Sequence, residues 1–179
     1  MPADLSTLTP EFRNRFEDLI AECSKVGIEM RPYFSLRTPE QQARLWRQSR
    51  TAEEIAPTIQ WLEQSGAPFL AEVLDKVGSQ AGPHVTNALP GFSWHQWGEA
   101  VDSFWVVDNG AEWSATKMID GQNGYRVYAA KAEALGLNAG GHWKNLREWP
   151  HIQLRKAASP NSAGLTLAEI NQKMEKKFG

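Results

Sequence analysis

Apolar side chains recur at helical spacing near the start of the chain, where Phe12, Phe16, Leu19, Ile20 and Cys23 form one stripe. Thr9-Pro10 supplies an N-cap and a proline suited to the first helical position, and Gly27 supplies the stop. Residues 28–35 read as extended. Pro32 cannot donate to a ladder, so this strand belongs at a sheet edge. Thr38-Pro39-Glu40-Gln41 is a capping box that opens a helix to about Ser49. Thr51-Ala52-Glu53-Glu54 is another, and residues 52–78 read as two short helices, broken near Pro57 or at Ser65-Gly66 and Pro68.

Residues 79–100 are rich in Gly, Pro, Asn and Ser and read as loop. Val101 to Val107 reads as a strand, followed by an Asp108-Asn109-Gly110 turn. A helix is expected over 122–135, stopped by Gly136, and a short strand at His151–Leu154. Residues 159–164 read as loop, and Thr166-Leu167-Ala168-Glu169 caps a last helix, 166–178. Helices and strands mix without regular β-α-β alternation, which predicts an α+β fold with helices against a small antiparallel sheet. With 179 residues and no linker or repeat, a single domain over 1–179 is expected.

Composition narrows the function classes. The chain is 41% hydrophobic and 22% charged, ordinary values for a globular protein. Nineteen basic residues face 21 acidic ones for a net charge of −2, with no basic run to engage nucleic acid. No stretch approaches the about 20 apolar residues of a membrane span. The first residues lack the basic start and apolar run of a signal peptide, so synthesis in the cytoplasm is expected. The single cysteine, Cys23, excludes an intramolecular disulfide and reads as a buried thiol.

Candidate chemistry concentrates around the histidines His84, His95, His142 and His151. His95 precedes Asp102 within Ser93-Trp94-His95-Gln96-Trp97-Gly98-Glu99-Ala100-Val101-Asp102, where the intervening Gly98 lets the chain turn and aim both side chains at one point. Glu148-Trp149-Pro150-His151 is the second dense segment, and Pro150 biases Trp149 to extended geometry. Two imidazoles and a carboxylate suit zinc with a fourth position left for water, whose pKa falls from about 15.7 to roughly 7. A nearby carboxylate that does not bind the metal can take its proton, and Glu148 stands in that place. Taken singly, each residue also has a bland reading: a solvated loop histidine, a turn-forming aspartate, a surface glutamate.

These segments resemble the D-Ala-D-Ala carboxypeptidase / L-alanoyl-D-glutamate peptidase family of zinc metallopeptidases, which shares its fold with D-Ala-D-Ala dipeptidases and the hedgehog N-terminal domain. Ser93, His95, Gly98, Ala100 and Asp102 match the S-x-H-x-x-G-x-A-x-D signature. Val85-Thr86-Asn87-Ala88, Gly140-Gly141-His142-Trp143 and Glu148-x-Pro150-His151 resemble further motifs in the expected order. Arg37-Thr38-Pro39-Glu40-Gln41-Gln42 resembles the Y-R-[ST]-x-x-x-Q segment, with Leu36 in place of tyrosine.

The resemblance implies that His95, Asp102 and His151 bind Zn2+ and that Glu148 is the general base, later protonating the leaving amine. Arg37 would stabilise the oxyanion or bind a substrate carboxylate. Ser93 would hydrogen-bond within the site or shape its loop, and Gln42 would face the site or support it from behind. His142, where many relatives carry an acidic residue, would be a substrate contact, a hydrogen-bond donor behind the ligands or a solvated loop residue. Asn138 stands where Glu is frequent. Trp143, with Trp94, Trp97 and Trp149, would pack the core or wall a groove. Residues 51–80 look like an insertion, a wall of the cleft or a helical cover. The implied activity is hydrolysis of a peptidoglycan stem-peptide amide, of L-Ala-D-Glu endopeptidase, endolysin type. The alternatives are a D-Ala-D-Ala carboxypeptidase or a non-catalytic zinc-containing wall-binding module. A monomer acting on the cell wall after holin-type release or other export is expected.

Overall fold

The computed structural model describes residues 3–179 and bears out the α+β expectation. The chain folds as two compact units: Met1–Leu36 with Trp97–Lys156, and Arg37–Gln96 with Ala157–Gly179.

The first unit holds the sheet. Helix α1 spans Pro10–Ser24 and strand β1 spans Met30–Phe34. Strand β2, Ala100–Val107, is the hub. It pairs antiparallel with β1 along one edge. On the other edge its start pairs with β5 (His151–Gln153) and its end with β3 (Gly110–Glu112). Strand β4, Asn138–Ala139, follows β5. Strand β1 lies at a sheet edge, as Pro32 requires. Asp108 and Asn109 both take positive φ, 50° and 62°, the two-residue turn that matches strand twist and joins β2 to β3. Helix α6, Gly124–Ala134, closes the unit, with Gly136 at φ 75° ending it.

Alternation along β2 sends Val101, Ser103 and Trp105 inward. There Phe12, Phe16, Leu19 and Cys23 of α1 meet Tyr125, Tyr128, Ala129 and Ala132 of α6 and Ile152 of β5. Buried Ser103 is satisfied by the Tyr128 hydroxyl at 2.9 Å. Thr9 occupies the N-cap of α1, but its hydroxyl makes no capping bond and is buried without a partner among the described residues. The fixed φ of Pro10 sets this helix start instead.

The second unit is helical: α2 (Pro39–Arg47), α3 (Ala52–Gln64), α4 (Pro68–Lys76) and α7 (Leu167–Phe178). The three expected capping boxes, at Thr38, Thr51 and Thr166, all form. Helix α3 runs through Pro57 and breaks only at Ser65–Ala67. Pro57 forfeits the bond to the Glu53 carbonyl, but Glu53 is exposed, so water can take it. Leu62, Leu70, Leu74, Ile170 and Met174 are buried, and the Asn171 side chain accepts from the Leu70 amide at 3.1 Å. One expectation needs correction. Residues 79–100 are not loop throughout, because Trp94–Trp97 form a one-turn helix, α5. The Gln96 amide returns to the Ser93 carbonyl at 3.0 Å, and the Gln96 side-chain oxygen takes the free Ser93 amide at 3.2 Å. Among the described residues, no helix is long and apolar enough to cross a membrane.

Candidate metal centre

The donor atoms of His95, Asp102 and His151 all lie within 4.8 Å of one another. Two local devices aim them. Asp102 and His151 are direct cross-strand partners in the β2–β5 ladder, so their side chains leave the same face of the sheet. His95 sits on α5, three residues before the β2 entry turn. That turn is Gly98, at φ 73°, where an added Cβ would come 2.7 Å from the Thr7 carbonyl oxygen. Its own carbonyl accepts from the Thr9 amide at 2.9 Å, pinning the turn to the start of α1. Only glycine meets both demands, which explains the fixed glycine between His95 and Asp102.

His151 is buried and its tautomer follows from its neighbours. Gln153 donates its side-chain NH2 to the Arg155 carbonyl at 2.5 Å, so its Oε1 faces Nε2 of His151 at 3.1 Å. An amide oxygen only accepts, hence Nε2 carries the hydrogen and Nδ1 presents its lone pair. That lone pair points at Oδ1 of Asp102, 3.1 Å away. Two electron-rich atoms so close, His151 buried and Asp102 only partly exposed, need a positive charge between them. A proton serves in the metal-free protein. Burial alone would push the imidazolium pKa down, but the Asp102 carboxylate outweighs it, with Glu148 and Gln153 adding to it, and the net direction is up from 6.5. A divalent cation serves equally. The separation is a little under the roughly 3.3–3.6 Å between two ligands about 2.0–2.2 Å from one ion in a tetrahedral site, and two imidazoles with a carboxylate are donors that zinc accepts, so the residues present fit zinc.

The other expected site residues lie as follows. Glu148 carries an exposed carboxylate with Oε2 at 3.9 Å from Nδ1 of His151. It is held there because its amide donates to the Gly140 carbonyl at 3.1 Å and its carbonyl accepts from the His151 amide at 3.1 Å. A Cβ on Gly140 would meet the Glu148 carbonyl at 2.5 Å, and one on Gly141 would meet the Trp149 ring at 2.3 Å. The glycine pair is therefore a seat for the Glu148–His151 segment. The Trp143 ring tilts against that of His151, centroids 5.1 Å apart, and its indole N–H donates to Asn138 at 3.0 Å. His142 is turned elsewhere: its Nδ1 pairs with Glu133 at 2.8 Å and its ring meets Trp149 edge-on.

In the second unit the Arg37 amide donates to the His95 carbonyl at 3.3 Å. The Arg37 guanidinium donates to Oε1 of Gln42 at 2.9 Å. Gln42 is fully buried and supports Arg37 from behind: its Oε1 also accepts from Gln96 at 3.1 Å, and its NH2 donates to the Ala88 carbonyl at 2.7 Å. The Ser93 hydroxyl accepts from the His95 amide at 3.4 Å and shapes the start of α5.

Two supporting residues escaped the sequence reading, Gln96 and Gln153. Gln153 had a signal, since it stands two residues beyond His151 on a strand and so shares its face. Gln96 had none, because only the folded structure shows it buried.

Residues 5–120 match the family model VanY, D-alanyl-D-alanine carboxypeptidase. The matched stretch includes Arg37, Gln42, Ser93, His95 and Asp102 and ends before His142, Trp143, Glu148 and His151.

Proposed function

We propose that this chain, which belongs to the VanY, D-alanyl-D-alanine carboxypeptidase, family, is a zinc-dependent endopeptidase that cuts the L-Ala-D-Glu bond of the peptidoglycan stem peptide. The observation that carries the reading is the convergence of His95, Asp102 and His151, with the Nδ1 lone pair of His151 turned to Asp102. These three would hold the cation, which when bound supplies a Lewis acid for the scissile carbonyl and an acidified water.

The chain's own groups do the rest. The Glu148 carboxylate takes a proton from the attacking water and returns it to the leaving amine nitrogen, so the products are a carboxylate and an amine. Its exposure leaves it accessible to substrate. Arg37, held by Gln42, offsets negative charge growing on the carbonyl oxygen or binds a carboxylate of the peptide. The choice of the L-Ala-D-Glu bond rests on the Arg37 to Gln42 segment and on Val85-Thr86-Asn87-Ala88, which resemble the endolysin branch. A second reading, a D,D-carboxypeptidase that releases terminal D-Ala, is favoured by the family's own description. The substrate sets the place of action at the cell wall, reached by holin-type release or another export route. The chain would act there as a monomer.

Mass spectrometry of muropeptides after digestion, with and without a chelator, decides between them. The expected result is stem peptide cut after L-Ala, abolished by the chelator and restored by zinc. Free D-Ala would support the second reading, and cleavage indifferent to chelation would remove the metal from the mechanism. Glu148→Gln should retain zinc and lose about 100-fold or more in rate. That outcome also separates an enzyme from a non-catalytic wall-binding module.

A further inference from the structure

We propose that the exposed aromatic cluster Tyr33, Phe104 and Trp113 is a saccharide-binding platform that seats the N-acetylated sugar carrying the stem peptide. The inference rests on the endopeptidase reading above and specifies its substrate: peptide still attached to glycan.

Trp113 is 56% exposed and Tyr33 37%, and both rings meet Phe104, at 5.8 and 6.2 Å between centroids. Tyr33 and Trp113 themselves stand nearly perpendicular, 82°, at 5.4 Å. The core of this unit lies on the opposite face of the sheet, so these rings do not complete it. Their placement is built into the strands. Phe104 stands two residues from Asp102 on β2 and shares its face, about 6.7 Å along the strand. Trp113 follows β3 in the position across from Phe104, since Trp105 pairs with Glu112. Tyr33 is the extra residue of a bulge: Pro32 pairs with Ser103 and Phe34 with Asp102. A bulge re-aims one side chain, here towards Phe104 and Trp113. Arg31 stands opposite Phe104, with its guanidinium 5.9 Å from the ring centre, and pairs with Glu29 at 2.6 Å. The result is an aromatic floor with a polar rim that begins one strand step from Asp102.

That arrangement suits a pyranose. The axial C–H bonds of one sugar face carry partial positive charge and rest on the negative face of an aromatic ring. Hydroxyl and acetamido groups at the sugar's edge then reach the Arg31–Glu29 pair. The occupant follows from the proposed bond. The L-Ala of a stem peptide is joined through a lactyl ether to its sugar, so cutting L-Ala-D-Glu leaves the sugar one residue and one lactyl group from the reacting carbonyl. One residue spans at most about 3.6 Å and the lactyl group is of similar length, so the sugar lies within about 7 Å. The sugar must then lie close to Asp102, where the platform begins. A D,D-carboxypeptidase would cut farther along the peptide and have no such neighbour.

The test has two arms. Triacetylchitotriose, titrated calorimetrically into the intact zinc-loaded protein, reads the platform without any cleavage. Saturable binding is expected, weakened about tenfold by Trp113→Ala and by Phe104→Ala and largely recovered in Trp113→Phe. The second arm compares kcat/KM for a disaccharide tetrapeptide with that for the sugar-free tetrapeptide. Trp113→Ala should lower that ratio about tenfold. No binding by the unmodified protein, binding indifferent to Trp113→Ala, or an unchanged ratio would each overturn the proposal. So would a self-associating chain that Trp113→Ala makes monomeric, since the face would then seat a second copy. Release of D-Ala in place of cleavage after L-Ala would instead sink the endopeptidase reading, whatever the titration shows.

Discussion

Gln153 accepts a hydrogen bond from Nε2 of His151 at 3.1 Å, and that bond decides which nitrogen His151 would offer to a metal. The oxygen of Gln153 cannot rotate away without losing the bond from its NH2 to the Arg155 carbonyl. Partners of this kind orient a ligating imidazole and raise its basicity.

Replacing Gln153 by Leu removes the acceptor while keeping the bulk. Zinc affinity, measured by competition with a chromophoric chelator, should fall roughly 10–100-fold. Hydrolysis at saturating zinc should fall much less. Unchanged affinity would show that the tautomer is set by something else.

The metal-free protein and the zinc-loaded protein should respond oppositely to pH. In the metal-free state the His151 pKa is raised above 6.5. The protonated His151–Asp102 pair therefore contributes stability that is fully present below about 6.5 and is lost as pH rises through the raised value. Zinc displaces that proton, so its stabilisation grows over the same rise. Thermal melts in chelator and in excess zinc should thus diverge with increasing pH, the gap in Tm widening above neutrality. A gap that narrows would contradict the shared position of proton and metal.

Gly98→Ala tests the turn between His95 and Asp102. Alanine at φ 73°, with its Cβ 2.7 Å from the Thr7 carbonyl oxygen, forces the chain to shift. A loss of about 1–3 kcal/mol in unfolding free energy is expected. Zinc affinity should drop with it, because the displaced turn carries His95. Denaturant melts and zinc titrations of the same variant check both.

Cys23 is fully buried in the α1 stripe, and desolvation raises its thiol pKa to about 11. A buried thiol with so little thiolate near neutral pH is inert. Labelling by a thiol-specific disulfide reagent should be slow in the native protein and reach one equivalent only after denaturation. Rapid native labelling would mean that α1 detaches readily from the core.

The sequence determined what local chemistry can encode. Thr38, Thr51 and Thr166 announced three helix starts because a capping box needs only four consecutive residues. Pro32 marked an edge strand, and Asp108-Asn109 marked a hairpin turn. The spacing of His95, Gly98 and Asp102 made a metal site thinkable before any fold was known. Tertiary structure decided what depends on distant residues meeting. Across 49 positions of chain, ladder register alone sets Asp102 against His151. Burial converted Gln42 and Gln96 into a scaffold behind Arg37, and a one-residue bulge turned Tyr33 towards Phe104 and Trp113. Pairing register and desolvation are properties of the assembled sheet and core, and no window of neighbouring residues contains them.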